Sequence, residues 1–303
     1  ITFKENKDIP VYHPEVQAFE VYDKADSFLA VLYADFHPRE GKRSGAWMTS
    51  YKEQWIDDDG TNSRPHVSVT MNFTKPTPDK PALLTFSEVN TFLHEFGHAL
   101  HGIFANTRFQ CMSGTNVYWD FVELPSQIME HWAFEPEVLA VYAKHYKTGE
   151  VIPADLIKKL NASAKFNQGF ATTELAGAAL LDIEWHKVSH DQPVNVPEFE
   201  AAVAKKLNLP EELTFRYRST YFKHIFGSDG YAAGYYTYLW AEVLDADGFD
   251  LFAEKGIFDK ATADAFRTNI LEMGGSDDPM KLYIQFRGQE PNPDALLRNR
   301  GLK

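Results

Sequence analysis

The sequence predicts a mainly α-helical protein with a small β-sheet, which we expect to form one domain over residues 1–303. Apolar residues recur at helical spacing over most of the chain, one stretch alternates with period two, and no segment has the composition of a linker. Because 44% of the 303 residues are hydrophobic, the chain can bury a large core. We expect helices at 14–35, 87–105, 117–133, 136–147, 153–163, 167–190, 197–206, 214–224, 232–245, 247–255, 259–272 and 278–286.

Two segments are predicted to be strands, at residues 44–55 and 65–74. The second segment alternates apolar and polar residues from Val67, which is typical of a strand with one buried face. It lies just before a long apolar helix. We therefore expect it to offer an edge to which an extended peptide could add as a further strand.

Composition and charge exclude several classes of protein. The formal net charge of −13 argues against a nucleic-acid-binding surface, which should be basic. No apolar run reaches the roughly 20 residues of a membrane span, so we expect no membrane partner. Cys111 is the one cysteine, and an intrachain disulfide is therefore impossible. We expect a cytoplasmic protein, with the periplasm as the alternative.

Residues 94–98 read His-Glu-Phe-Gly-His, an H-E-x-x-H motif inside the predicted helix 87–105. Three fixed positions occur by chance in many chains, so the context of the motif matters. Positions i and i+4 lie on one helix face, so His94 and His98 can present two imidazoles to one metal ion. Glu95 projects beside them and can hold a water molecule as a general base. The helix is largely apolar, and a buried histidine there needs a partner, which a metal would supply.

Two further features of this helix are its predicted ends and a third histidine. We expect Ser87 to cap the helix after the proline-rich loop 75–81, and Gly102 to end it. His101 shares the face of His94, but lies about 10 Å away along the axis at roughly 1.5 Å rise per residue. Ligands about 2 Å from one zinc ion cannot be so far apart. We therefore expect His101 to be a neighbour of the site and not a ligand.

A second predicted helix over residues 120–132 contains the better candidates for a third ligand. Glu123, Gln127 and Glu130 share one face, at positions i, i+4 and i+7. This face is either exposed to solvent or faces the metal. In the second case Glu123 is the third ligand, and Gln127 or Glu130 orients a ligand histidine. Pro125 fits near the start of this helix.

These residues resemble the thimet oligopeptidase family of zinc peptidases, and within it the bacterial peptidyl-dipeptidases. The resemblance runs over nearly all of the chain and implies a zincin-like catalytic domain of the neurolysin or thimet type. It also implies one Zn²⁺ ion with Glu123 as its third ligand, although cobalt or manganese could occupy such a site. The resemblance is carried by residues 94–98, 113–116, 121–127, 180–186, 216–226, 230–240 and 286–291.

The resemblance also implies roles for a tyrosine-rich segment. His224, Tyr231 and Tyr238 match residues that stabilise the tetrahedral intermediate and hold the substrate backbone, and Tyr235 lies beside them. We expect a helix to begin near Tyr231, which would place the three tyrosines on one face. By spacing alone this could be a packing stripe, but neutral phenols are also suitable donors to a developing oxyanion.

The resemblance favours release of C-terminal dipeptides from short peptide substrates. That reaction requires a cation to bind the C-terminal carboxylate of the substrate. Arg216 and Arg218 are candidates, because arginine binds carboxylates in a bidentate manner, and Lys223 is a third. For any one of them, a solvated basic cluster is an equally good interpretation. The alternatives are an endo-oligopeptidase, or a zinc domain that binds peptides without turnover.

The resemblance implies that family members are more than twice this length. The chain starts at Ile1, with no Met and no signal peptide. We therefore expect it to be a C-terminal catalytic part, whose partner is an absent N-terminal helical part of the same polypeptide. In the family, that part walls one side of a deep channel and limits substrates to short peptides.

Overall fold

In this computed structural model, which describes residues 1–189 and 193–303, all the described strands precede the α-helices. The strands in this part of the chain are β1 (Thr2–Glu5), β2 (Gln17–Tyr22), β3 (Phe28–Asp35), β4 (Trp47–Lys52), β5 (Trp55–Ile56), β6 (Asn62–Ser63) and β7 (His66–Thr70). The α-helices are α1 (Phe86–Phe104), α2 (Trp119–Val122), α3 (Leu124–Glu130), α4 (Pro136–Tyr142), α5 (Ala154–Ala164), α6 (Gln168–Trp185), α7 (Val196–Lys206), α8 (Lys223–Phe226), α9 (Thr237–Lys255), α10 (Lys260–Phe266), α11 (Pro279–Arg287) and α12 (Asp294–Asn299).

The main sheet has the strand order β1-β2-β3-β7-β4. β3 and β7 are parallel, with Val31 opposite His66, and the other neighbours are antiparallel. β7 is hydrogen-bonded on both sides, so the expectation that residues 65–74 offer a free edge is wrong. The free edge beside the helices belongs to β4, because β4 folds back on β7 with Trp47 opposite Thr70.

The predicted helix at residues 14–35 is wrong, since this stretch forms β2 and β3. A short 3-10 turn at Lys24–Asp26 joins the two strands. The stretch is rich in β-branched and aromatic residues, which favour strands when a sheet buries them. Val21 and Val31 are 0% and 6% exposed, so pairing within the sheet supplies the burial that an isolated helix would not.

The other predicted helices agree with the structure to different degrees. Most of 214–224 is irregular, with a 3-10 turn at Ser219–Tyr221, and the backbone N–H of Ser219 donates to the buried Glu200 carboxylate. The helices predicted at 232–245 and 247–255 form the single helix α9, which begins five residues later than expected. The helix predicted at 117–133 is divided at Glu123. The helix predicted at 167–190 ends at Trp185, and residue 190 itself lies outside the described residues. Strand β1 and helix α12 were not predicted.

Helix α1 begins with a capping box in which Thr85, and not Ser87, is the N-cap. Its side chain accepts the N–H of Glu88, whose carboxylate accepts the N–H of Thr85. The helix continues past Gly102 to Phe104. Gly102 serves close packing and not termination, because a Cβ atom there would lie 2.9 Å from side-chain atoms of both Met48 and Val67.

Helix α1 lies between two apolar cores. On one side Ala99 and Ile103 join the sheet core with residues such as Val67 and Val69. On the other, Leu100 and Phe104 pack against the helical core built from α3, α9, α10 and α11. A helix fixed on both sides can hold its polar side chains in defined positions. Within residues 1–189 and 193–303, no helix combines the length and apolar character needed to cross a bilayer.

Candidate metal centre

Two histidines of α1 converge with one carboxylate at the junction of α2 and α3. Nε2 of His94 lies 3.3 Å, and Nε2 of His98 lies 3.2 Å, from Oε2 of Glu123. The three ligand atoms all lie within 4.8 Å of one another. Atoms roughly 2.1 Å from a tetrahedral zinc ion are roughly 3.4 Å apart, so this donor set fits a cation of that size.

A close approach of α3 to α1 brings Glu123 to the histidines. A Cβ atom at Gly97 would lie 2.2 Å from the carbonyl oxygen of Pro125, so the two backbones are in contact there. Pro125 lies in the first turn of α3, where its missing N–H is not needed. The hydroxyl of Ser126 donates to Oε2 of Glu123 at 2.9 Å and orients the carboxylate.

The outer nitrogen of His94 is held by Glu130. Nδ1 of His94 lies 2.7 Å from Oε1 of Glu130, whose Oε2 accepts from the side chain of Asn90 at 2.5 Å. A proton on Nδ1 leaves the lone pair of Nε2 directed at the metal position. Among the described residues, the side-chain hydrogen bond of Gln127 goes not to a histidine of the site but to the carbonyl of Tyr238, at 3.2 Å, and it links α3 to α9.

The charges around the ligands favour a cation. Burial alone would lower the pKa of His94, but hydrogen bonds to Glu123 and Glu130 raise it to about 10. Burial would raise the pKa of Glu123, but His98 and His94 hold it well below its usual range. Carboxylates that favour a proton on an imidazole also favour a metal ion on the same lone pair.

The side chain of Glu95 lies between the backbone of α1 and β4, an edge strand of the sheet. Its residue surface is 7% exposed, and burial raises the pKa of its carboxyl group while His94 and His98 lower it. The backbone of Met48 in β4 donates a hydrogen bond to this carboxylate. Met48 of β4 therefore lies beside Glu95.

His101 lies outside the ligand set, as expected from its distance along the helix. The side chain is fully buried, and neither ring nitrogen has a hydrogen-bond partner among the described residues. Burial, with a smaller effect of His98, lowers the pKa of His101 to about 3. This imidazole is therefore neutral.

The segment before α9 brings two tyrosines to the metal centre. The hydroxyl of Tyr231 donates to Oε1 of Glu123 at 2.7 Å. The rings of Tyr231 and Tyr238 are stacked, with centroids 5.4 Å apart. Burial and the charge of Glu123 raise the pKa of both phenols, so both keep their protons. The expectation that a helix begins near Tyr231 is wrong, because residues 231–236 form turns.

His224 and Tyr235 complete this aromatic cluster. The centroid of the His224 ring lies 6.1 Å from Tyr231, 5.4 Å from Tyr235 and 6.2 Å from Tyr238. Burial, followed by the charge of Arg216, lowers the pKa of His224, so its ring is neutral near pH 7. Tyr235 is 4% exposed and packs within the cluster.

The two candidate arginines have different surroundings. Arg218 forms an ion pair with the buried Glu200 of α7 at 2.9 Å, and its side chain is 53% exposed. Arg216 lies 5.7 Å from the ring centroid of Tyr217, beside Tyr235 and close enough to act on His224. Of the two, only Arg216 faces the aromatic cluster.

Two polar residues near the site were not predicted from the sequence. Asn90 holds Glu130, and its position four residues before His94 on the same helix face could have indicated it. Asp182 accepts hydrogen bonds from the tyrosine-bearing segment. Its signal was an acidic residue flanked by the apolar Leu181 and Ile183 in α6.

Comparison with known proteins confirms the resemblance and the mainly helical fold. The chain is 46% identical over 305 residues to dipeptidyl carboxypeptidase of Salmonella typhimurium, covering all of this chain and 44% of that protein. It is 42% identical over 305 residues to oligopeptidase A of Escherichia coli, covering all of this chain and 45% of that protein. The chain thus spans less than half the length of these relatives.

Solved structures share the fold at low sequence identity. The crystal structure of BsuCP matches with a TM-score of 0.56 at 14% identity, over 90% of this chain and 54% of that one. The Pyrococcus furiosus carboxypeptidase matches with a TM-score of 0.52 at 13% identity, over the same shares. The sequence model described as peptidase family M3 matches residues 1–302. The chain therefore belongs to peptidase family M3.

Proposed function

We propose that this chain hydrolyses peptide bonds with one zinc ion held by His94, His98 and Glu123. The observation that carries the proposal is the convergence of three ligand atoms within 4.8 Å beside the buried Glu95, in a member of a peptidase family. A zinc ion at this position supplies a Lewis acid, which polarises a carbonyl group and lowers the pKa of water from near 16 toward about 7.

Glu95 is the proposed general base. Its carboxylate takes a proton from the attacking water and then passes it to the leaving amine. The ideal pKa for such proton transfer lies near the working pH, and burial shifts the pKa of Glu95 in that direction. The hydrogen bond from Met48 holds the carboxylate at the edge of the sheet.

Tyr231, Tyr238 and His224 are the proposed donors to the oxyanion that forms on the scissile carbonyl. All three are neutral groups in a partly buried cluster, so they can donate without bringing a competing charge. Donors that are already oriented stabilise a developing charge without the cost of rearrangement. The stacking of the two phenols and the packing of Tyr235 support such an orientation.

β4 is the proposed strand to which an extended substrate adds. Within residues 1–189 and 193–303 no other strand pairs with its outer edge, and the backbone of Met48 in β4 reaches Glu95. A peptide added there by main-chain hydrogen bonds would pass beside the general base. This proposal replaces the earlier expectation for β7.

The proposed substrates are short peptides, cleaved by release of C-terminal dipeptides. Arg216 supports this mode, since its guanidinium lies beside the aromatic cluster and can bind a terminal carboxylate. The relatives carry names for both modes, dipeptidyl carboxypeptidase and oligopeptidase A. Internal cleavage is therefore the second candidate, and binding without turnover is the third.

The test is cleavage of one short peptide with a free or an amidated C-terminus, followed by mass spectrometry with chelator or added zinc. We expect chelator-sensitive release of dipeptides from the free-ended peptide only. Arg216→Ala should weaken this reaction by roughly 10- to 100-fold, the loss of a charge-assisted bidentate contact. Arg218→Ala is the matched control and should change it little.

Each other result distinguishes a different function. Equal cleavage of both peptides would contradict dipeptide release and favour internal cleavage. Zinc bound at one equivalent without any cleavage would favour a peptide-binding domain that needs further polypeptide for turnover. Cleavage that persists in a chelator and without zinc would refute the metal-dependent mechanism.

A further inference from the structure

Asp182 connects α6 to the segment that carries the candidate tyrosines. Its side chain has no exposed surface. Oδ1 accepts the backbone N–H of Ala233 at 3.0 Å, and Oδ2 accepts that of Tyr235 at 2.8 Å. Nδ1 of His186, which follows the last residue of α6, lies 2.8 Å from Oδ1 and also accepts the backbone N–H of Ala233 at 3.2 Å. Both carboxylate oxygens are thus directed by specific partners.

The segment over residues 230–236 needs such support. It has no regular secondary structure, and Ala233 has a φ of 57°, in the left-handed region. A residue with a Cβ atom in this region costs about 1–2 kcal/mol unless its surroundings impose the conformation. Backbone N–H groups in buried irregular segments also need acceptors. Asp182 supplies acceptors on both sides of the strained position.

The position of this segment determines where the phenols lie. Tyr231 is two residues before Ala233 and donates to Glu123 at 2.7 Å. Tyr235 packs against Phe222 with ring centroids 4.9 Å apart. A change in the path of residues 233–235 would move the Tyr231 hydroxyl away from the metal centre.

We infer that Asp182 is a positioning residue that fixes residues 230–236 so that Tyr231 and Tyr238 face the candidate metal centre. This inference rests on the proposed function for its effect on rate. The hydrogen bonds of Asp182 to the tyrosine-bearing segment go to the backbone of Ala233 and Tyr235, so it acts through that backbone. It gives the motif at residues 180–186 a role that the sequence alone did not provide.

The test compares Asp182→Asn with Asp229→Asn in the zinc-loaded protein. Asn keeps the shape of the side chain but replaces one acceptor oxygen with an N–H donor. Asp229 is exposed and lies next to the same segment, so its substitution removes an equal charge without affecting these hydrogen bonds. We measure amide hydrogen exchange of residues 230–236, zinc affinity, kcat and KM.

For Asp182→Asn we expect faster exchange of the Ala233 and Tyr235 amides, with zinc affinity retained. We expect kcat to fall by roughly 10- to 100-fold, since small misplacements of catalytic groups have effects of this size. KM should change much less. In a Tyr231→Phe background the effect on kcat should shrink, because both substitutions remove the same contribution.

His186→Ala is a milder second variant, because the ring is partly exposed and the carboxylate stays in place. It should also give faster amide exchange and a lower kcat, and both changes should be smaller than in Asp182→Asn. Unchanged exchange in both variants would overturn the inference, and so would an equal loss of kcat with and without Tyr231. If the wild type cleaves no peptide, the proposed function fails, whereas the exchange measurement still decides the role of Asp182.

Discussion

At the scale of single residues, the carboxyl group of Glu95 is buried beside two imidazoles that act on its charge. Burial raises its pKa, and His94 and His98 limit the increase. A base with a raised pKa binds the transferred proton more strongly than an exposed glutamate. The activity should therefore fall as the pH decreases through the raised pKa of this group.

Glu95→Gln tests this assignment directly. We expect kcat/KM to fall by about 10²- to 10⁴-fold, because the amide cannot accept the proton. Zinc content should stay at the wild-type level, since Glu95 is not in the ligand set. Steady-state kinetics and metal analysis provide the two measurements, with the exposed Glu211→Gln as the control. A variant that cleaves peptide at the wild-type rate would refute the assignment.

Tyr231→Phe removes one proposed donor to the oxyanion and leaves the ring stack in place. We expect kcat to fall by roughly 10²-fold, the usual effect of losing one such donor. Tyr236→Phe is the matched control, because its hydroxyl donates to Asp120 on the surface and not to Glu123. Equal kcat values for the two variants would mean that the Tyr231 hydroxyl does not act in the reaction.

The sequence predicted part of the candidate site. The pairing of His94 and His98 follows from the period of one helix, and Glu123 follows from a shared helix face and the resemblance. The sequence makes Arg218 a candidate for substrate binding. Its ion pair with Glu200 depends on how α7 packs against the segment that carries Arg218. Local spacing contains no information on such a contact, and the same limit applies to Asp182.

At the scale of elements, the contact between α1 and α3 determines the geometry of the ligands. Gly97→Ala would place a Cβ atom 2.2 Å from the carbonyl oxygen of Pro125, two residues after Glu123. We expect a loss of about 1–3 kcal/mol in the free energy of unfolding, as for other overpacked interiors, and weaker zinc binding.

Gly169→Ala is the control for this substitution. Gly169 is also helical, but a Cβ atom there meets nothing within 4 Å. It should be neutral or stabilising by up to about 1 kcal/mol. Urea unfolding and competition with a zinc chelator give the two quantities. Equal stability of both variants would show that the α1–α3 contact relaxes without cost.

The end of β3 is held by a buried ion pair. Asp35 is 2% exposed and binds Arg39 and Lys42, whose side chain is 3% exposed. Asp35→Asn should lower the free energy of unfolding by about 3–5 kcal/mol at pH 7, since it leaves a buried cation without its partner. The exposed Asp58→Asn, whose carboxylate binds Arg108, should change it by less than about 1 kcal/mol.

The effect of Asp35 should depend on pH in a defined direction. Despite its burial, hydrogen bonds from Arg39 and Lys42 lower the pKa of Asp35 from 3.8 to about 2. A carboxyl group whose pKa is lower in the folded state than in the unfolded state stabilises the fold. This stabilisation is full at pH values above the unfolded-state pKa and is lost as the pH falls through the folded-state pKa. The difference between wild type and Asp35→Asn should therefore shrink between about pH 4 and pH 2. A constant difference would contradict the shift.

The sequence predicted long elements better than short ones. The periodicity of α1 and α9 extends over several turns, and it indicated both helices despite errors at their ends. The sequence predicts one helix where β2 and β3 form, because their strand character depends on pairing with β7 and β1. Pairing between distant segments leaves little trace in a single sequence.

At the scale of the whole molecule, the candidate site joins parts that are distant in the chain. The histidines lie on α1, Glu123 joins α2 to α3, and Tyr231 precedes α9. A ligand that binds these groups only when they are assembled must stabilise the folded state. Zinc should therefore stabilise both the sheet core and the helical core, since α1 packs between them.

Thermal unfolding with increasing zinc measures this linkage. At a free zinc concentration of about 1,000 times Kd we expect about 4 kcal/mol of added stability, which corresponds to several degrees or more in Tm. His98→Ala should abolish most of this shift, because it removes one of the three ligands that approach within 4.8 Å. His145→Ala removes an exposed histidine outside the ligand set and should leave the shift unchanged. If zinc raised Tm equally in both variants, the metal would bind elsewhere, and the added stability would not come from the proposed site.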